Sequence, residues 1–340
     1  MTIPYRVRQF LKHAATALLL FLILAVFVWL IWLLWLDRFV VYTRDQGAIL
    51  NFDLPAQNLS GLVAEPPEPE ATISIYYNEG DDQITTGNEL RQLIGYYVDK
   101  EALEKDLDTV RAQILALPLG TPVLVDVKSI YGNFFYSSSV SDKRNTSLDT
   151  EAMDQLIQLL NSGNLYTIAR LPAFRDYNYG LEHVSDGLPV SGGYLWMDDD
   201  RCYWLNPTTE GTMTYLVQIV TELRDLGFDE VVFSDFRFPD TNSIVFSGDK
   251  TAALATAAQT LVTSCATDRF AVSFTGQSAA FPLPEGRSRL YLEHVAAAEA
   301  ASVAVQTGLA DPTVNLVFLT EVNDTRFDTY GVLRPLSSAH

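Results

Sequence analysis

Between Leu93 and Leu319, short apolar runs alternate with segments whose apolar residues recur at helical spacing. The runs cover 93–98, 122–127, 165–169, 231–233, 270–275, 290–292 and 315–319. Leu103, Leu107, Val110, Ile114 and Leu117 make one helical stripe, and Met153, Leu156, Ile157 and Leu160 a second. Met213, Leu216, Val217, Val220 and Leu223 make a third, and Ala-rich helices are expected over 250–265 and 295–306. Asn206 and Pro207 read as the cap and first residue of the third helix, and Gly227 as its end. Strands alternating with helices in this way bury their apolar faces only in a parallel sheet with helices outside it. The pattern predicts an α/β fold, a (β/α) barrel of the TIM-like kind over residues 72–335. Seven strands are one short of eightfold closure, so the C-terminal third is expected to be incomplete or irregular.

The chain ahead of that domain has a different character. Ala14 to Leu36 is an uncharged apolar run long enough to span a bilayer, with Trp29, Trp32 and Trp35 near its far end. Trp35-Leu36-Asp37-Arg38 follows where a cleavable leader would show small residues. Arg6, Arg8 and Lys12 precede the run, while Arg38 and Arg44 beyond it each lie near an acid. These features predict a single-pass signal anchor at 14–36, a cytoplasmic N-terminus at 1–13 and an extracytoplasmic remainder. Residues 37–71 read as a linker, stiffened by Glu65-Pro66-Pro67-Glu68-Pro69-Glu70, and Thr72 to Tyr77 alternates like a short strand.

A formal net charge of −19 repels phosphate backbones and argues against a nucleic-acid partner. Cys202 and Cys265 are too few for a disulfide framework or a structural zinc site, and read as buried thiols or one bridge. The histidines show no metal-ligand spacing, and no cofactor is called for.

In a β/α barrel the residues at strand C-termini face the active-site bowl. Here those ends carry Asp99, Asp126, Lys128, Arg170, Asp235, Arg237, Glu293 and Glu321. An aromatic, Gly- and Asp-rich insertion from Pro172 to Leu205 lies among them, with Tyr177, Tyr179, Tyr194, Trp196, Tyr203 and Trp204. Paired carboxyls beneath aromatic faces suit glycoside hydrolysis, which needs one acid for the leaving oxygen and one carboxylate as nucleophile or base. The same residues also fit structural roles. Asp126 with Lys128, or Asp235 with Arg237, could be internal ion pairs; Arg170 could neutralise a carboxylate; the aromatic insertion could be a packed cap. Asp198-Asp199-Asp200 lacks the alternating ligands of a calcium loop and reads as a solvated acidic turn.

Several short motifs occur in order from Leu93 to Pro239: Gly95-Tyr96-Tyr97-Val98, Val125-Asp126-Val127-Lys128, Tyr166-Thr167-Ile168-Ala169-Arg170, Phe174-Arg175-Asp176, Trp204-Leu205-Asn206-Pro207, and Gly227-Phe228-Asp229-Glu230 through Arg237-Phe238-Pro239. In these the chain resembles a family of bacterial glycoside hydrolase-like TIM-barrel proteins known chiefly as a domain of unknown function. The resemblance implies a carbohydrate-active barrel outside the cytoplasm, with Asp126, Lys128, Arg170 and Glu230 at motif positions. It makes Asp126, Glu230 and Asp235 the catalytic candidates. Lys128, Arg170, Arg237, Tyr97, Trp196 and Trp204 are the substrate-binding ones, and polysaccharide or envelope glycan is the partner. One departure stands out. Ser234 occupies the place of the family's fourth-strand carboxylate, and Asp235 is displaced by one. Strand alternation then turns Asp235 toward the helices or the rim. The fifth strand, Val272 to Gly276, also lacks an expected acid. Two readings follow: a membrane-anchored glycoside hydrolase-like protein, or a catalytically inactive barrel that binds glycan or an envelope protein.

Overall fold

The computed structural model describes residues 89–338 except 163–164 and 277–280, and before them residues 20, 22, 24–26, 29, 40–43 and 47–50. The described positions at 20–29 are helical and exposed. The remainder of the predicted 14–36 span, the Pro/Glu spacer and the predicted strand at 72–77 lie outside the described residues. Among the described residues no helix is long and apolar enough to cross a membrane. Strands β1 (Val40–Thr43) and β2 (Gly47–Leu50) pair antiparallel in a stretch whose composition had suggested only linker.

The barrel is complete. Strands β3 (Ile94–Val98), β4 (Pro122–Asp126), β5 (Tyr166–Pro172), β6 (Glu230–Ser234), β7 (Ala271–Gly276), β8 (Leu290–Glu293), β9 (Leu316–Leu319) and β10 (Gly331–Pro335) pair in parallel, and β10 closes on β3. The expectation of an incomplete or irregular C-terminal third is thereby corrected, since β10 supplies the eighth strand. Its sequence, Gly331-Val332-Leu333-Arg334-Pro335, puts two apolar residues between a glycine and a proline, both of which read as breakers. The link from β9 to β10 also holds only a 3₁₀ turn, Thr325–Phe327, among its elements, so no helical stripe announces this strand.

Close approach of strands explains one glycine. A Cβ on Gly95 would fall 2.1 Å from the carbonyl oxygen of Pro122 on the neighbouring strand, so only glycine fits there. The helices open on short acids. Asp99, Asp106, Asp149 and Asp249 each accept a hydrogen bond from a first-turn amide, a favoured use of aspartate. The helix Glu210–Asp225 starts later than the Asn206-Pro207 signal suggests. Asn206 instead accepts from Thr208 in a turn just ahead of it. Gly227, at φ 97°, ends that helix in the left-handed conformation that glycine adopts most easily.

Alternation sorts each strand into two faces. Val123, Val125, Ala169, Leu171, Val231, Phe233, Val272 and Phe274 pack outward beneath the helices. On the far side Leu290, Leu292, Leu316, Phe318 and Val332 pack against Ala300, Ala304 and Phe327. The inward face is layered. Leu124, Ile168, Val232, Tyr291, Val317 and Leu333 form an apolar middle. Below it, Glu230 at the start of β6 meets Arg289 at the foot of β8, both without solvent exposure to speak of. Ser273 Oγ (2.5 Å) and Tyr291 OH (3.0 Å) donate to one Glu230 oxygen, and Tyr166 OH (2.9 Å) to the other. Arg289 also donates to the carbonyls of Val314 and Arg91.

This floor is a buried charge pair with its remaining lone pairs and protons satisfied. Removing one member should cost about 3–5 kcal/mol, because the other is left charged and alone. Glu230→Ala is expected to lower the unfolding free energy by that amount, seen as a lower denaturant midpoint at an unchanged m-value. A loss under ~1 kcal/mol would show that the pair does not anchor the barrel.

Candidate active site

The mouth of the barrel holds a cavity of about 850 Å³. Asp126, Pro172, Ser234, Gly276 and Glu293, the last residues of β4 to β8, all line it. Of the residues expected at the site, Asp126, Lys128, Arg170, Asp235, Arg237 and Glu293 share this cavity.

Arg170 ties the mouth together. Its Nε and Nη2 donate to the two oxygens of Asp126 at 2.6 and 3.1 Å, and its Nη1 donates to Glu293 Oε1 at 2.8 Å. Asp126 is the direct register partner of Arg170 on the adjacent strand, which sets up the bidentate geometry. Asp126 Oδ2 accepts further from the Lys100 amide at 2.9 Å, so both its oxygens are held. Glu293 accepts one hydrogen bond, and its side chain is 32 % exposed. Among the described residues it is therefore the less constrained carboxylate of the two. Tyr97, partly buried on β3, has a phenol pushed up to about 12 by burial and by the charges of Glu321 and Asp99.

Asp235 sits in the wall of the cavity, and the expectation that it faces the helices or the rim is corrected. Strand β6 ends at Ser234, and Asp235 takes φ 48°, the left-handed region that non-glycine residues seldom adopt. Strand alternation stops applying at that residue, so Ser234 and Asp235 both reach the cavity. Burial raises the Asp235 carboxyl above the usual aspartate range; Arg175 and Arg237 oppose the shift, and the negative charge of Glu293 adds to it. His294, just beyond β8, adopts the same left-handed backbone (φ 58°) and also lines the cavity.

Glu230 is not at the mouth. It begins β6 rather than ending it and lies in the floor with Arg289, so its catalytic assignment is corrected. Lys128 borders the cavity, but its Nζ is taken up by Asp176, 2.7 Å distant, with both side chains fully buried, and Tyr215 OH donates to the same Asp176 oxygen at 3.0 Å. Lys128 does not pair with Asp126, because β4 ends at Asp126 and the chain has left the strand.

The aromatic insertion is a packed cap. Trp204 is 2 % exposed, its Nε1 donates to Asp198 Oδ2 at 2.9 Å, and Trp196 is half-buried with its ring 6.2 Å away. Both are corrected as sugar platforms, since neither lines the cavity. Asp198 and Asp200 pair with Arg175, so the acidic turn serves to fix that arginine. The guanidinium of Arg237 stacks over Trp204 at 4.8 Å. Tyr131, 43 % exposed in the loop after β4, lines the cavity, as does the buried Phe135; sequence reasoning missed both, because nothing marks that loop. Glu293 was legible as a strand-end acid but had no motif around it. Cys202 and Cys265 are both free, buried thiols. Among the described residues no group of acids, histidines and cysteines is placed to hold a metal ion.

A family profile described as "putative glycosyl hydrolase domain" matches residues 96–271, just over half of the chain. The structure is similar to a family 36 α-galactosidase variant from Geobacillus stearothermophilus, at 10% identity and TM-score 0.50, over 74% of this chain and 40% of that one. It is also similar to a hypothetical protein from Ruminiclostridium thermocellum, at 20% identity and TM-score 0.45, over 53% of this chain and 96% of that one. A third is a family 20 exo-β-N-acetylglucosaminidase from Vibrio harveyi, at 9% identity and TM-score 0.47, over 67% of this chain and 41% of that one. The chain thus spans about four-tenths of the length of these two hydrolases, and at such identities the likeness speaks for the fold alone. No curated protein matches the sequence.

The raised Asp235 carboxyl carries a stability consequence. A carboxyl whose folded pKa exceeds its ordinary 3.8 contributes most below that value, and its contribution is lost as pH rises through the folded pKa. Asp235→Asn should therefore raise the melting temperature near pH 7, and the gain should vanish below about pH 4. A variant less stable than the parent at pH 7 would contradict the assignment.

Proposed function

The chain belongs to the glycosyl hydrolase domain family that its residues 96–271 match, and we propose that it is a membrane-anchored glycoside hydrolase acting on polysaccharide outside the cytoplasm. One observation carries the catalytic part. Two carboxyls of the same cavity have opposite environments: desolvation raises the Asp235 carboxyl and favours its protonated form, whereas Glu293 is salt-bridged to Arg170. Environments that separate two carboxyls in this way divide the roles of acid and base. Asp235 gives its proton to the glycosidic oxygen as the bond to the anomeric carbon breaks. Glu293 faces the developing positive charge, and either attacks the anomeric carbon or takes a proton from the attacking water. The anomer first released tells which. Asp126 and the Lys100 amide hold Arg170, and Arg170 in turn positions Glu293. The left-handed turn at Asp235 supports activity despite Ser234, because it returns a carboxyl to the cavity one residue later.

Supporting an anchored, outward-facing domain are the apolar Ala14–Leu36 run, the tryptophans at its far end and the cations ahead of it. An acidic chain with these features has a polysaccharide rather than a nucleic acid for a partner.

Turnover is tested with full-length protein in detergent against a panel of aryl glycosides and polysaccharides. Asp235→Asn and Glu293→Gln should each lower kcat/KM by about 10²–10⁴-fold. Hydrolysis unaffected by both substitutions would reject these assignments. Glycan binding without turnover in the parent would instead favour the inactive, glycan-binding barrel. For orientation, alkaline phosphatase fused after residue 71 should be active, and fused after residue 12 inactive. The reverse pattern would overturn the outward-facing placement.

A further inference from the structure

The arginines at the two ends of the barrel are used unequally. Arg170 is held by Asp126 and Glu293, Arg175 by Asp198 and Asp200, and Arg289 by Glu230 and two backbone carbonyls. Arg237 has no such partners. Among the described residues its one carboxylate neighbour, Asp235, is 3.8 Å away, beyond hydrogen-bonding distance. Its one hydrogen bond, from Nη1 to the Phe238 carbonyl, is long at 3.5 Å. What positions it is the Trp204 ring, over which the guanidinium stacks at 4.8 Å. That ring is itself immobilised, buried and bonded through Nε1 to Asp198 Oδ2, while Asp198 is clamped by Arg175. The Arg237 side chain is 28 % exposed and lines the cavity. A planar fork thus lies over an aromatic face with one long hydrogen bond and no carboxylate within hydrogen-bonding distance among the described residues.

We infer that Arg237 receives a carboxylate carried by the sugar, so that the cavity selects a uronic acid or other carboxylated glycosyl unit. The inference rests on the glycan reading above and names its substrate class. A guanidinium stacked on an aromatic ring is weakly hydrated and binds a planar carboxylate through two parallel hydrogen bonds. Preorganisation by Trp204 removes much of the ordering penalty that a free arginine would incur. Asp235 offers little competition, because it stands 3.8 Å away, beyond hydrogen-bonding distance. The overall charge of −19 does not forbid this, since repulsion between exposed charges is screened beyond about 10 Å at 0.1 M salt. It does exclude steering by a dense polyanion. Recognition is of one carboxylate inside the cavity.

The test compares binding of full-length protein to uronate oligosaccharides (alginate, galacturonan and glucuronoxylan fragments) with the same oligosaccharides after carboxyl reduction to neutral sugars. Sulfated oligosaccharides form a third arm. The parent should bind at least one uronate about tenfold or more tightly than its reduced counterpart. Arg237→Gln should erase that difference and Arg237→Lys should keep part of it, with unfolding midpoints confirming that both variants fold. Equal affinity for the two forms, a preference that survives Arg237→Gln, or tighter binding of the sulfated arm would overturn the inference. Turnover of neutral glycans without discrimination would overturn it while leaving the hydrolase reading intact. Binding to none of the three arms would remove both.

Discussion

Glu230 and Arg289 meet at the foot of the barrel where no water reaches them, and the rest of the architecture follows from the need to keep them satisfied. A lone buried charge is costly, so Ser273, Tyr166, Tyr291 and two backbone carbonyls converge from several strands on this pair. Those partners arrive together only when the strands are in register and the ring is closed. The floor therefore acts as a check on closure as well as a plug. Above it the apolar layer built on Leu124, Ile168, Val232 and Val317 separates this fixed pair from the charges at the mouth.

The mouth applies the same pairing chemistry with looser constraints. Arg170 distributes its donors between Asp126 on a neighbouring strand and Glu293 across the cavity, leaving Glu293 partly exposed. The insertion contributes from outside the ring. Asp198, Arg175 and Trp204 form a chain of contacts that ends at Arg237 on the cavity wall. Its aromatics thereby shape the site through a cation rather than by touching it.

Much of the fold was legible because alternation of strand and helix survives in the sequence wherever a helix makes the crossover. Most of the seven strands could be read on that basis, β8 by its apolar run alone, and β10 could not, because its connection is a 3₁₀ turn and its ends are glycine and proline. The site was less legible. The apolar run 231–233 already put Glu230 ahead of its strand, at the end away from the mouth, and only the motif resemblance made it a catalytic candidate. Partner choice is also a three-dimensional matter. Lys128 finds Asp176, and Arg170 finds Glu293, across sequence separations that carry no local signal. Trp204 read as a surface aromatic because its composition is that of a sugar platform; only its burial shows that it supports Arg237.

The φ of 48° at Asp235 reaches beyond this molecule. By the motif resemblance alone, the chain has the hydroxyl of Ser234 where an acid is expected, the usual mark of a disarmed enzyme. A single left-handed residue breaks the link between motif position and place, because it brings the side chain beyond the strand end into the cavity beside the one before it. Loss of a functional group is therefore better diagnosed by asking which atoms border the cavity than by asking which letter fills a motif.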